Sequence, residues 1–429
     1  MDTESSAVVV RGAGLFVPLL LTVAVCLWRP PRRSEVAAMI VAGTWALSTL
    51  VPLNLHAVRV GWWSFHGEGA VWLGMPVDLL LAWAVLWGPL PALMLRFLPV
   101  PLIACLLVWV DTIVMPLAEP VVVLGPLWSL GEFVGSAVCL IPALLLAYWT
   151  RVGRFVHVRV WTQALLAFGF MIVLPMAALD SLPQGLGPLS IAAQVLAPAL
   201  LPGLAAAREF ARVGRGTPLP FDPPSRLVTS GPYAYLRNPM QTTLVAVYLL
   251  LPLVTGNPWS LVGALVSFVY GVGFAGWHEA GRLRETFGRD WEVYRSGVRS
   301  WLPRWRPWPG RTPGLLHVAA DCGMCRGLGR WLAARSPVAL ELRPAAEHPE
   351  VLYRLTYQTP DGSRWSGVSA LARALEHLHL GWALTGWALD LPGVRHFAQL
   401  CADAFGAGPR PSREAEGTTA ASGAAPSSG

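Results

Sequence analysis

GTPLPFDPPSRLVTSGPYAYLRNPMQ, residues 216–241, opens a segment that closes with HEAGRLRETFGRDWEVYRSGVRSWLPR, residues 278–304. From Met240 to Trp277 the chain has no Asp, Glu, Lys, Arg or His. An uninterrupted apolar stretch of that length belongs in hydrocarbon, and it reads as a hairpin of two spans near 240–256 and 259–279. The residues able to do chemistry gather where the hairpin starts and ends, which places them on one side of the membrane.

Outward from this hairpin the same composition continues. Hydrophobic residues make up 54% of the 429 and charged ones 13%, well below the usual quarter for a soluble chain. Further apolar runs near 12–28, 36–53, 71–95, 97–117, 129–149, 160–179 and 189–206 bring the expectation to about nine spans. Arg29, Arg32, Arg33, Arg96, Arg151, Arg154, Arg159, Arg208, Arg212 and Arg215 fall in alternate loops, whereas the opposite loops hold only Arg59. The positive-inside rule then puts the N-terminus outside and both the 207–239 loop and the C-terminal region in the cytoplasm. The first run is followed by Arg29-Pro30-Pro31-Arg32-Arg33 with no small-residue cleavage site, so it reads as a retained span. There is no lysine, which points to a GC-rich bacterial genome, and the net charge of +7 is spread over loops. That spread marks membrane orientation and leaves no nucleic-acid patch. The expected location is a bacterial cytoplasmic (inner) membrane, with the bilayer itself as a partner.

Within residues 216–304 the chemistry is concentrated. A Gly231-Pro232-Tyr233 turn followed by Arg237-Asn238-Pro239 can present backbone groups and one fixed cation to a ligand carboxylate. Glu279, at the end of the next span, can receive an amine or a sulfonium. Gly231, Pro232 and Tyr233 match a Gly-x-Tyr turn, Arg237 and Pro239 an Arg-His-Pro element, and Glu279 with Leu283 a Glu-Glu-x-x-Leu element. Phe287, Gly288 and Tyr294 match Phe-Gly-x-x-Tyr-x-x-Tyr. In this order and spacing, residues from about 160 to 304 resemble the isoprenylcysteine carboxyl methyltransferase and phospholipid methyltransferase family of integral-membrane enzymes. The chain departs from that pattern at Asn238 (for histidine), Gln241 (for tyrosine), Ala280 (for the second glutamate) and Trp291 (for the first tyrosine). The resemblance implies S-adenosylmethionine as cofactor, a lipophilic small-molecule acceptor, and a donor pocket of Gly231, Pro232, Tyr233, Arg237, Asn238, Pro239 and Glu279. Arg237 and Glu279 are its expected catalytic residues. Asn238 cannot titrate, so a base at that position is excluded.

After Pro303 the composition changes. Residues 305–314 read as a linker rich in Pro and Gly, and 315–410 as a soluble α/β pattern with helices near 323–335, 368–380 and 393–404. Residues 411–429 read as a disordered tail. Cys322 and Cys325 sit between a predicted strand and helix, where the helix N-terminus favours a thiolate. Asp321, Cys322, Cys325, Asp361-Gly362, Gly367-Val368-Ser369-Ala370 and Leu391-Pro392 resemble the thioredoxin-like family named for its Asp-Cys-x-x-Cys motif. The usual Asp-Gly before that motif is here Ala319-Ala320. The pair reads as a redox dithiol with a thiol partner, as a relic kept for structure, or as half of a metal site. The last lacks two ligands nearby, so no metal is assigned. Cys26, Cys105 and Cys139 lie in apolar runs and read as small core residues.

The fold class expected is therefore a multi-span α-helical membrane protein with a C-terminal cytoplasmic thioredoxin-like domain. Its parts are an N-terminal bundle (1–155), a methyltransferase domain (156–304), the linker, the α/β domain and the tail. A lipid-directed methyltransferase is the leading reading. A membrane-anchored thiol–disulfide oxidoreductase using Cys322 and Cys325, and a non-catalytic scaffold, are the rivals. Asp78, Asp111 and Glu132 lie in or beside apolar runs, and burying them is costly. They read as a small polar pocket among the third to fifth spans, or as groups that touch water or pair.

Overall fold

Prolines and left-handed residues set the element ends. The computed structural model describes residues 3–219, 221–320, 322–409 and 411, without the side chains of 3–5, 274, 275 and 277–280. The expected tail beyond Pro411, and Asp321, lie outside the described residues. The chain divides into two units, one of residues up to Pro175 with Arg215–Ser225, the other of Met176–Gly214 with Arg226 onward.

In the first unit, α1 (Thr3–Trp28) ends before Pro30-Pro31, and α2 (Arg33–Val60) starts with the Arg32 backbone N–H donating to Glu35 Oε2 at 2.7 Å. Gly61, at φ 72°, stops α2 in a left-handed cap. Then follow β1 (Trp63–Phe65), a hairpin of β2 (Val71–Trp72) and β3 (Met75–Pro76), α3 (Val77–Trp87), α4 (Pro89–Met94), α5 (Val100–Leu117) and β4 (Val122–Leu124). β1 pairs antiparallel with β4, Ser64 opposite Val123. The β2–β3 turn uses Leu73 and Gly74, both at positive φ, which is why the third span begins at Val77 and not at 71. A π-turn (Ser136–Leu140) links α6 (Trp128–Gly135) to α7 (Ile141–Val152), and α8 (Val156–Phe168) follows. Ala38, Ala42 and Ala46 of α2 share one core with Ala143 and Ala147 of α7. Small residues at that seam let two backbones approach where no hydrophobic drive exists between apolar helices in lipid. The 217–222 turn belongs to this unit: Asp222 Oδ2 accepts from Arg159 Nη2 at 2.6 Å and from Thr217 Oγ1 at 2.9 Å.

α9 (Leu174–Ala178) leads to the second unit, where α10 (Leu186–Glu209) runs into a π-turn, Phe210–Gly214. A 3₁₀ turn (Gly231–Ala234), α11 (Pro239–Thr255), α12 (Ser260–Tyr270), a π-turn (Gly271–Ala275) and α13 (Gly276–Gly297) complete its helical part. Among the described residues, seven helices are long and apolar enough to cross a membrane, from Ser6–Trp28 to Leu186–Gly214. The last two of the nine expected spans appear as the shorter apolar helices Pro239–Thr255 and Ser260–Gly273. At 1.5 Å per residue α11 rises about 25 Å, less than the ~30 Å of hydrocarbon. Their outer faces are nonetheless apolar: Leu253, Leu265 and Val269 are exposed, as suits contact with lipid chains.

The C-terminal part holds β5 (Gly314–Val318), α14 (Gly323–Ala333), β6 (Leu340–Pro344), β7 (Thr356–Gln358), β8 (Arg364–Ser366), α15 (Val368–Leu375), α16 (Leu380–Leu389) and α17 (Val394–Ala402). The strand order is β6-β5-β7-β8, with β5 and β6 parallel and the other pairs antiparallel. Leu316, Leu332, Tyr357, Ala370 and Leu375 form its core. α16 was not expected from sequence, because its apolar composition has no polar face to reveal a period. Among the cysteines read as core, Cys139 is buried, but Cys105 is exposed and Cys26 only half-buried. The outer face of α5 is apolar and exposed, so an apolar run does not imply a protein interior.

Candidate functional site

The turn at 231–234 is built around a glycine that has no substitute. Gly231 sits at φ 57°, and a Cβ there would stand 3.2 Å from Glu209 Cγ. Pro232 closes the turn, its carbonyl accepting from the Tyr235 and Leu236 N–H groups at 3.0 Å each. The next backbone groups are paired by the stretch that leaves the hairpin. The Tyr233 carbonyl accepts from the Tyr294 hydroxyl at 2.9 Å, that of Ala234 from Trp308 N–H at 2.8 Å, and that of Tyr235 from Arg304 N–H at 2.9 Å. Burial holds the Tyr294 phenol well above its ordinary range, so it stays a neutral donor. The segment before the hairpin and the segment after it therefore meet, as their order in the sequence suggested.

Arg237 is half-buried beside them. Its backbone N–H donates to the Arg299 carbonyl at 2.9 Å, Nη1 to the Arg295 carbonyl at 3.3 Å, and Nη2 to Ser300 Oγ. The guanidinium lies over the Trp291 ring, 5.6 Å from its centroid. Burial lowers its pKa from the usual value, then Tyr294 raises it and Arg295 lowers it; an arginine remains a cation there. Asn238 stands at the N-cap position of α11 without a side-chain capping bond, and Pro239 fills the first helical position, where a missing N–H costs nothing. Buried Gln241 Oε1, Thr242 Oγ1, Thr243 Oγ1 and Trp291 Nε1 have no hydrogen-bond partner among the described residues. Gln241 Oε1 faces Gly271, where a Cβ would lie 3.1 Å away, so the first turn of α11 meets the end of α12. Glu279 lies on α13, but its side chain is outside the described residues, as are those of His278 and Ala280.

Sequence reading missed the floor beneath this turn. Glu209, at the end of α10, accepts from Ser230 Oγ at 2.5 Å and from Arg373 Nη2 of α15 at 2.6 Å. Arg373 also meets Glu376 at 3.2 Å, and Glu376 meets Arg311 at 3.5 Å. Burial alone would lower the Arg373 pKa, but Glu209 and Glu376 hold it well above the ordinary value. Asp390 pairs with Arg208 at 2.5 Å and Arg212 at 3.8 Å. The one available signal was a glutamate among the 208–215 arginines.

Cys322 and Cys325 lie at the start of α14. Cys322 caps α14 and its Sγ accepts from the Cys325 N–H at 3.3 Å; both are half-buried. In the first unit Asp78 pairs with Arg11 at 2.6 Å, while Asp111 and Glu132 share a small cavity that Asp78 does not line.

No curated protein and no solved structure matches the chain significantly. One family does match part of it: residues 213–290, which carry Gly231, Pro232, Tyr233, Arg237, Asn238, Pro239 and Glu279, fit the family model of the phospholipid methyltransferases.

Proposed function

We propose that residues 156–304 form a membrane methyltransferase that takes S-adenosylmethionine as donor and a lipophilic, isoprenoid or lipid-like, acceptor. The observation that carries this reading is the family match over 213–290. It falls on a turn whose backbone is pinned by the segment leaving an apolar hairpin. The residues fit the donor. Arg237 would hold its carboxylate with the free N–H groups at the start of α11, and the unpartnered Gln241 Oε1 and Trp291 Nε1 offer an acceptor and a donor to polar ligand atoms. When bound, the donor supplies an electrophilic methyl on sulfonium. The chain's own work is positioning and exclusion of water. Tyr233 shapes the pocket wall against Phe210, and we place Glu279 at the donor amine or near the acceptor. Exposed apolar faces of α11 and α12 suit sideways approach of an acceptor from the bilayer. The loop arginines support a bacterial cytoplasmic membrane with the C-terminal region in the cytoplasm. The parallel β5–α14–β6 unit beside an antiparallel pair supports a thioredoxin-like reading of residues 315–410.

The test is to incubate membranes bearing the full chain with isotope-labelled donor and follow the lipid fraction by mass spectrometry. A lipid that gains one labelled methyl supports the reading. No labelled lipid together with no donor binding by calorimetry would sink it.

A further inference from the structure

Acidic side chains on the apolar helices of the first unit are of two kinds. Glu35 meets Arg96 at 2.9 Å and Asp78 meets Arg11 at 2.6 Å. Asp111 of α5 and Glu132 of α6, only 1% and 6% exposed, have no cation within ion-pair distance among the described residues. They line one small cavity together instead. Ionised carboxylates are acceptors only, so two carboxyls facing one cavity can bond to each other only with a proton on one of the two. Like charges this close, out of water, do not both ionise.

The surroundings say where the proton sits. Trp83 Nε1 donates to Asp111 Oδ1 at 3.1 Å, which favours the ionised form of Asp111. Glu132 accepts from no other protein donor among the described residues. Both groups line a cavity of about 10 Å³ with Asn54, Trp63, Trp83 and Trp87, which is room for roughly one water. Asn54 is already engaged, accepting from Trp63 Nε1 and donating to the Leu50 carbonyl, each at 2.9 Å. Three buried polar atoms of cavity-lining residues remain unpartnered: Asp111 Oδ2, Glu132 Oε1 and Trp87 Nε1. Trp87 is 2% exposed, so its indole N–H is an orphan donor independent of the acid pair. No Arg or His lines the cavity. Among the described residues, Cys139 is a further titratable group that feels both carboxyls.

We propose that Asp111 and Glu132 form a proton-binding site that carries one shared proton, resident on Glu132, and one water. The water accepts from Trp87 Nε1 and donates to Asp111 Oδ2 and Glu132 Oε1, which satisfies all three orphan atoms. An alkali cation suits the site less well, because the indole N–H groups of Trp83 and Trp87 turn donors, not lone pairs, toward an occupant. The site holds a single negative charge, spread over a pair fed by indole donors, where Glu35 and Asp78 each use an arginine. This inference is independent of the methyltransferase reading.

Infrared spectroscopy of the full chain in lipid nanodiscs tests it. At neutral pH the wild type should show the carbonyl band of one protonated carboxyl group. The band should shift when glutamate alone carries ¹³C and stay put when aspartate alone does, a readout that needs no variant. It should persist in Asp78→Asn, move in Asp111→Asn as its hydrogen-bond acceptor changes, and vanish in Glu132→Gln. Three results would overturn the proposal: no protonated carboxyl in the wild type, a band that follows aspartate labelling, or a band abolished by added sodium with sodium bound in its place.

Discussion

The guanidinium of Arg237 touches Ser300 Oγ and the Arg295 carbonyl and lies over Trp291, so its charge is positioned by protein groups alone. Two or more charge-assisted bonds to a carboxylate depend on that planar fork. Arg237→Ala should weaken donor binding by about 10- to 100-fold, the loss of hydrogen bonds worth roughly 1.5–3 kcal/mol. Arg237→Lys should recover only part, because an ammonium cannot keep the same fork. Calorimetry on protein that remains monodisperse reads both, and unchanged affinity in the alanine variant would remove Arg237 from the pocket. Gly231, Tyr233, Arg237 and Pro239 were legible in sequence because a turn, a cation and a helix start are local signals. The bond from Tyr294 to the Tyr233 carbonyl was not, since it joins positions 61 apart and no spacing rule reports it.

At the scale of elements, the end of α10 is tied to α15 through Glu209 and Arg373, both buried. Removing one partner leaves an uncompensated buried charge, whereas removing both leaves none. Arg373→Met should therefore destabilise by about 3–5 kcal/mol, and Arg373→Met combined with Glu209→Gln should recover most of that loss. Thermal unfolding in detergent checks it; a double variant no better than the single one would show that the pair adds no coupled energy. The arginines around Glu209 were read as topology markers. Their second use as partners of Asp390 was hidden, since Arg208 finds its acceptor 182 residues later.

For the whole molecule, apolar length proved a good guide to the seven long helices and a poorer one to the hairpin, whose helices are short for a span. In the C-terminal part, the pattern of a strand followed by a helix located β5 and α14, but uniformly apolar α16 gave no amphipathic pattern to read. Fully buried His377 gives this region a pH response. Its Nδ1 can only donate to the Val338 carbonyl, 2.7 Å away, which leaves Nε2 to accept from the Tyr357 hydroxyl at 2.9 Å. The ring is thus neutral, and burial, then Arg311, hold its pKa well below the usual 6.5. The unfolded chain binds a proton there that the folded chain refuses, so stability is full above about pH 6.5 and falls progressively as pH drops below it. Buried His317, also lowered, adds in the same direction. Hydrogen exchange of the β5–β7 amides at about pH 5 and about pH 7 should show faster opening in acid, with a flatter response in His377→Gln. An equal response in that variant would assign the effect elsewhere. Residues 305–314, composed like a tether, are stitched down: Trp308 N–H binds the Ala234 carbonyl and Arg311 reaches Glu376. A protease that nicks this seam at Gly310 would cut the chain without freeing the piece beyond it.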